Sequence, residues 1–193
     1  HKEYRRQRQM CIRDRIETKY YADHINMADF TNLVSKLDPQ WMMISSYDDY
    51  FINDADEFIR YRYHDAMGEL TIKRKTQDNS NIKRIEVNLP TDGKSSKTVQ
   101  AFVDLLGYRF NFSIFKTCKI AILPRVVLVY YIVYDENMRE QYRFIEIEAN
   151  EHFEWASEQE AWDEVLKYEK MLEPLGITSK HRMRKSLFEL FKQ

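Results

Sequence analysis

Charged and apolar residues alternate along several short stretches of this chain. In Phe58–Tyr63, Arg60 and Arg62 share one parity while Ile59, Tyr61 and Tyr63 share the other. In Phe144–Glu148, Glu146 and Glu148 alternate with Ile145 and Ile147, and in Ile16–Tyr20, Glu17 and Lys19 fall on one side. A period of two places each set on one face of a β-strand. Lys73 within Leu70–Lys73, and Arg84 with Glu86 within Ile82–Asn88, repeat the pattern. Strands are predicted at 16–20, 41–46, 48–53, 57–64, 69–75, 82–88, 109–120, 125–134 and 141–149, most of them bounded by Asp, Asn or Gly turns.

Helical spacing or a cap signal appears in four places. Met27, Phe30, Leu33, Val34 and Leu37 predict a helix over 27–38, and Val99, Phe102, Val103 and Leu106 one over 96–106 that stops at Gly107. Ser157 with Glu160 forms a capping box for a helix over 158–175, and Leu187, Phe188 and Phe191 mark a last short one. Strands joined by short turns pair antiparallel, so the class is α+β with a large antiparallel sheet.

An ordinary half-exposed sheet also shows charged faces. Here, however, the charges segregate by strand, arginines on one and glutamates on another. Enough amphipathic helices exist to cover the apolar faces. Closing such a sheet turns its charged faces into a hydrated bore. Crowded like charges call for counter-ligands, a metal for the carboxylates and a polyphosphate for the cations.

Simple counts exclude other chemistries. None of the four glycines begins a dinucleotide-binding or Walker-type loop, so any phosphate must be gripped by side chains. Two cysteines, Cys11 and Cys118, make neither a disulfide framework nor a zinc motif, and the five histidines show no metal-ligand spacing. The longest apolar run, Val126–Tyr134, is strand-sized. No signal peptide is read at the start, and a cytoplasmic location is expected.

Residues 1–15 read differently from the rest. They form a basic stretch without hydrophobic period, readable as a disordered arm or a nucleic-acid-binding tail. Gln9–Arg15 also resembles the translation of a transposon end used in sequencing libraries, and Tyr4–Gln7 resembles an inverted second copy. On that reading 1–15 is a non-native segment of a metagenomic assembly, and 16–193 is a single domain. The whole chain has 30 Lys and Arg against 31 Asp and Glu. Without 1–15 the balance is 24 against 29. An acidic exterior argues against nonspecific nucleic-acid binding.

Glu17-Thr-Lys19, Tyr47–Phe51, Phe58–Arg62, Glu69–Lys73, Arg84-Ile-Glu86, Leu106-Gly-Tyr108, Lys116, Asp135 and Phe144–Glu148 stand in an order that resembles the CYTH superfamily, the triphosphate tunnel metalloenzymes. Leu175–Ile177 and Ser186–Leu190 resemble that family's C-terminal end. The resemblance implies a closed antiparallel eight-stranded β-barrel with helices packed outside, and a triphosphate-bearing small-molecule substrate. It implies Mg²⁺ or Mn²⁺ held by Glu17, Glu146 and Glu148. Lys19, Arg60, Arg62, Lys73, Arg84, Lys116 and Arg125 would hold phosphate oxygens, arginine as a fork and lysine as a point charge. Glu86, Glu146, Glu148 and Lys73 would take part in catalysis, Glu86 by orienting a water or a second metal.

The match has gaps. The family's first-strand motif has a glutamate where this chain has Arg15, so weakened metal affinity is expected. Cys118 stands where an arginine belongs, with Lys119 adjacent, and is read as a packing residue rather than a nucleophile. Hydrolysis of inorganic triphosphate, thiamine triphosphate or a nucleoside triphosphate is the favoured activity. A class IV-like adenylate cyclase, an RNA 5′-triphosphatase and a non-catalytic polyphosphate or nucleotide binder stay open. No membrane partner and no nucleic acid beyond an RNA 5′ end are expected, and the chain is read as a monomer or homodimer.

Overall fold

The structure is a computed structural model that describes residues 13–65, 67–75, 83–91 and 94–192, without the side chains of 13–15, 73–75 and 83–86. Most of the segment 1–15 therefore lies outside the described residues. Eight strands, β1 (Arg13–Tyr21), β2 (Gln40–Ile52), β3 (Phe58–His64), β4 (Met67–Lys75), β5 (Lys83–Pro90), β6 (Arg109–Ile122), β7 (Val126–Tyr134) and β8 (Glu140–Ala149), form one antiparallel sheet. Four α-helices accompany them: α1 (Met27–Val34), α2 (Ser96–Leu105), α3 (Glu158–Met171) and α4 (Leu187–Phe191).

The two strands expected at 41–46 and 48–53 are one. β2 runs unbroken because it pairs with β6 from Gln40↔Ile122 to Ile52↔Arg109, a register shift at Tyr50/Phe51 absorbing the irregularity. α1 and α3 are shorter than their apolar spacing suggests. Each gives way to a 3₁₀ turn, Ser35–Leu37 and Glu173–Leu175, closed by left-handed Asp38 and Gly176. Ser157 caps α3 by accepting from the Glu160 amide, but the Glu160 carboxylate accepts from Ala156 N–H instead of completing the box. The reciprocal box occurs at α4, between Ser186 and Glu189.

The expected closed barrel with external helices needs correction on both counts. Strand order runs β1-β5-β4-β3-β2-β6-β7-β8, and β1 meets both ends of that series. It does so in halves, Arg13–Ile16 pairing with β5 and Glu17–Tyr21 with β8. Among the described residues no position of β1 is paired on both sides. The molecule is thus a single curled sheet whose split seam β1 laps, not a ring paired along every strand. Strand twist, accumulated over eight strands, carries β1 away from β5 as it approaches β8.

The outer face matches expectation over most of its area. Phe30 and Val34 of α1 and Ala161 and Val165 of α3 bury Tyr20, Leu128, Tyr130, Ile145 and Ile147. Val99 and Val103 of α2 cover Phe51, Ile59, Tyr61 and Leu70. α4 does the opposite and packs against the inner face. Phe188 stacks on Phe58 at 4.4 Å between ring centroids and reaches Tyr50 and Phe112, while Leu187 and Met183 join the same cluster. Buried aromatic area of this kind is the main stabilising term available to a five-residue helix. Phe188→Ala is expected to cost about 3 kcal/mol or more, read as a lower unfolding midpoint in urea. No helix among the described residues is long and apolar enough to cross a membrane.

Candidate functional site

Alternation delivers two charged groups to the inner face. The first lies where β1 meets β8. Glu17 pairs with Glu148 and Lys19 with Glu146 in the strand register. Carboxylate oxygens of Glu17, Glu146 and Glu148 come within 4.8 Å of one another, all three partly buried. Lys19 Nζ offsets one charge, 3.3 Å from Glu146. One oxygen of Glu17, Oε2, is buried without a hydrogen-bond partner among the described residues. Three carboxylates that close repel one another, and a buried acceptor left unmatched costs stability. Both features fit a hard divalent cation, which takes oxygen ligands and keeps waters.

The second group is cationic and centres on a carboxylate. Asp48 on β2 has no solvent exposure. It accepts from Arg62 through both oxygens, Nε to Oδ1 at 2.8 Å and Nη2 to Oδ2 at 3.0 Å, and Lys116 Nζ lies 2.5 Å from Oδ2. Arg60 donates to Thr71 Oγ1 at 2.8 Å and approaches Glu69 at 3.7 Å. Burial alone would raise the Asp48 carboxyl, but Arg62 and Lys116 overcome it and hold the group well below the usual carboxylate range. Burial, with Arg62 beside it, pushes Lys116 down to about 8 despite the opposing pull of Asp48.

Tyr131 on β7 joins the two groups. Its ring centroid lies 5.9 Å from Lys19 Nζ and 5.8 Å from Lys116 Nζ. Cys118, its register partner on β6, is partly buried, and burial pushes its thiol up, which suits packing better than attack.

Lys19, Arg60, Arg62 and Lys116, with Glu17, Glu146 and Glu148, therefore share the inner face. Lys73 and Glu86 are register partners on β4 and β5, and Lys75 pairs with Arg84. The side chains of Lys73, Arg84 and Glu86 lie outside the described residues. Arg125 is the exception among the predicted phosphate ligands. It sits in the turn before β7, 4.4 Å from the Phe153 ring and 4.8 Å from that of Trp155, and pairs with Glu160 at 2.7 Å. That clamp ties the turn to the start of α3. Lys119 stacks over Trp41 at 4.9 Å, so it does not stand in for an arginine at position 118. Asp135 is a turn residue, accepting from the amides of Asn137 and Arg139.

Asp48 and Tyr131 are the residues that strand patterning does not single out. Adjacent aspartates on a strand point to opposite faces. Asp49 is held by Ser96 and Ser113, each 2.7 Å away, leaving Asp48 to the inner face opposite Arg62. The register of β2 against β3 was the missing information.

No family model matches the sequence, and no curated protein sequence does. Solved structures do. The chain is similar to the PH1012 protein of Pyrococcus horikoshii, with 18% identity, 92% of this chain and 99% of that one covered, and a TM-score of 0.73. It is similar to a conserved hypothetical protein of Pyrococcus furiosus at 24% identity, 91% and 99% coverage and TM-score 0.71. A Bacillus halodurans protein provisionally named an adenylate cyclase matches at 16% identity, 92% and 96% coverage and TM-score 0.60. The likeness extends over nine-tenths of the chain, and what it shows is a shared fold.

Proposed function

We propose that this chain binds a triphosphate group across the inner face of its sheet and hydrolyses a phosphoanhydride bond with the help of a divalent cation. One observation carries the reading: a carboxylate triad and a buried cation cluster share one face, linked by Lys19, Tyr131 and Lys116. Glu17, Glu146 and Glu148 would hold Mg²⁺ or Mn²⁺, which would supply Lewis-acid polarisation of a phosphoryl group. Arg62 and Lys116 then exchange part of their contact with Asp48 for phosphate oxygens, and Arg60 and Lys19 neutralise the remaining charge. The resemblance extends the proposal to Lys73 and Arg84 as further phosphate ligands and to Glu86 as the residue that orients a water. The reaction needs positioning and charge stabilisation more than a covalent nucleophile, so Cys118 plays no chemical part.

The provisional name of the Bacillus halodurans relative favours one second reading, attack of a ribose 3′-hydroxyl on the α-phosphorus with loss of pyrophosphate. A product panel separates the two. Inorganic triphosphate, thiamine triphosphate and nucleoside triphosphates are supplied with Mg²⁺ or Mn²⁺, and free phosphate and cyclic nucleotide are measured. The panel is run on the chain as given and on Arg15→Glu, since Arg15 brings a positive charge two residues from Glu17. Phosphate release supports hydrolysis, cyclic AMP supports cyclisation, and neither product from either protein counts against both.

Lys116 gives the binding step a pH signature. Its ammonium is charged below about 8 and neutral above. Triphosphate affinity should weaken as pH rises through that range, and Lys116→Arg should remove the weakening because a guanidinium stays charged. Calorimetric titrations at pH 7 and pH 9 check this.

A further inference from the structure

We infer that the Tyr131 hydroxyl is a direct ligand of the bound phosphate chain, donating a hydrogen bond between the oxygens held by Lys19 and those held by Lys116. The inference rests on the proposed triphosphate site and extends it to a residue with no formal charge.

Tyr131 is 4% exposed, and its hydroxyl is buried with no hydrogen-bond partner among the described residues. Buried phenols ordinarily find one, as Tyr130 on the same strand does with the Ile25 carbonyl at 2.7 Å. Lys19 and Lys116, the ammonium groups beside the ring, offer only donors, so neither can accept from the hydroxyl. A phenol keeps its proton at neutral pH, so this hydroxyl offers a donor there. Glu17 Oε2 is the complementary case, a buried acceptor without a partner on the same face. A buried acceptor on the acid side and a buried donor between two lysines suit one and the same ligand. That ligand brings a cation to the glutamate and anionic oxygen to the tyrosine, which is the chemistry of a metal-bound phosphate chain.

Tyr131→Phe removes the hydroxyl and leaves the ring in its tilted contact with Phe144, whose centroid lies 5.3 Å away. Binding of inorganic triphosphate with Mg²⁺ to the full-length chain is measured by calorimetry, and the ligand-free melting temperature is measured in parallel. The expected result is affinity about 10-fold or more weaker, the loss typical of a hydrogen bond to a charged acceptor. Ligand-free stability should be unchanged or slightly raised, because an orphaned donor has been deleted. That opposite movement is the readout a merely structural tyrosine does not give. Equal affinity in the two proteins, or weaker binding accompanied by an equally lowered melting temperature, overturns the inference while leaving the triphosphate site standing. Failure of the unaltered chain to bind triphosphate overturns both.

Discussion

On the proposed function, Glu148→Gln is expected to lower metal-dependent phosphate release about 100-fold or more while leaving the protein folded. Glutamine keeps the size and one acceptor oxygen but removes the charge that a hard cation needs. Glu148 is the register partner of Glu17 and belongs with Glu146 to the same close triad. Loss of a preorganised charge at a reacting phosphoryl group typically costs two to three powers of ten. The metal-free protein should respond in the opposite sense, because one of three mutually repelling carboxylates has been neutralised. A melting temperature slightly higher than that of the unaltered chain without metal, and lower than it at saturating Mn²⁺, is the expected pair of results. Turnover and thermal unfolding with and without Mn²⁺ measure both.

Asp48→Ala destabilises the protein by about 3–5 kcal/mol, the usual cost of removing one partner from a buried ion pair. Arg62 and Lys116 would be left facing each other with their shared counter-charge gone. The effect should shrink in the presence of triphosphate, since a polyanion bound only to the folded form restores the missing charge. It should also shrink with acid. The Asp48 carboxyl is depressed in the folded protein, so its contribution is present above the unfolded carboxylate range near 4 and is lost as pH falls toward the folded value. Urea unfolding at pH 7 and pH 3, with and without triphosphate, shows whether the gap between the two proteins narrows as described. A constant gap under all four conditions would mean that Asp48 acts through packing alone.

How much of this arrangement is legible in sequence depends on whether the information is local. Alternation is local: the parity of Arg60 with Arg62, and of Glu146 with Glu148, places each pair on one face whatever else the chain does. The capping serines and the glycine after the last helical turn of α3 are equally local. Strand partnership is not. Asp48 becomes the counter-ion of the cation cluster only because β2 registers Asp48 against Arg62 and Ser46 against Lys116. Tyr131, within the uniformly apolar run of β7, reads as core until its register against Cys118 and its nearness to two lysines are known. Arg125 shows how later residues add partners that local patterning does not reveal. A cation near the end of a charged strand looks like a phosphate ligand, and Phe153, Trp155 and Glu160 arrive from later in the chain to hold it. α4 misleads for the same reason, since nothing in Leu187–Phe191 says which face of a curled sheet its phenylalanines fill.

Binding of inorganic triphosphate in the presence and absence of Mg²⁺ tests most directly whether the acidic and cationic groups serve one ligand. Calorimetry on the chain and on Arg15→Glu should show one triphosphate bound per chain, tighter with Mg²⁺ than without. Glu148→Gln should abolish that metal enhancement while leaving the metal-free affinity intact or improved. Equal affinity with and without Mg²⁺ in both proteins would contradict a shared site, and absence of binding would contradict the phosphate reading of the cation cluster altogether.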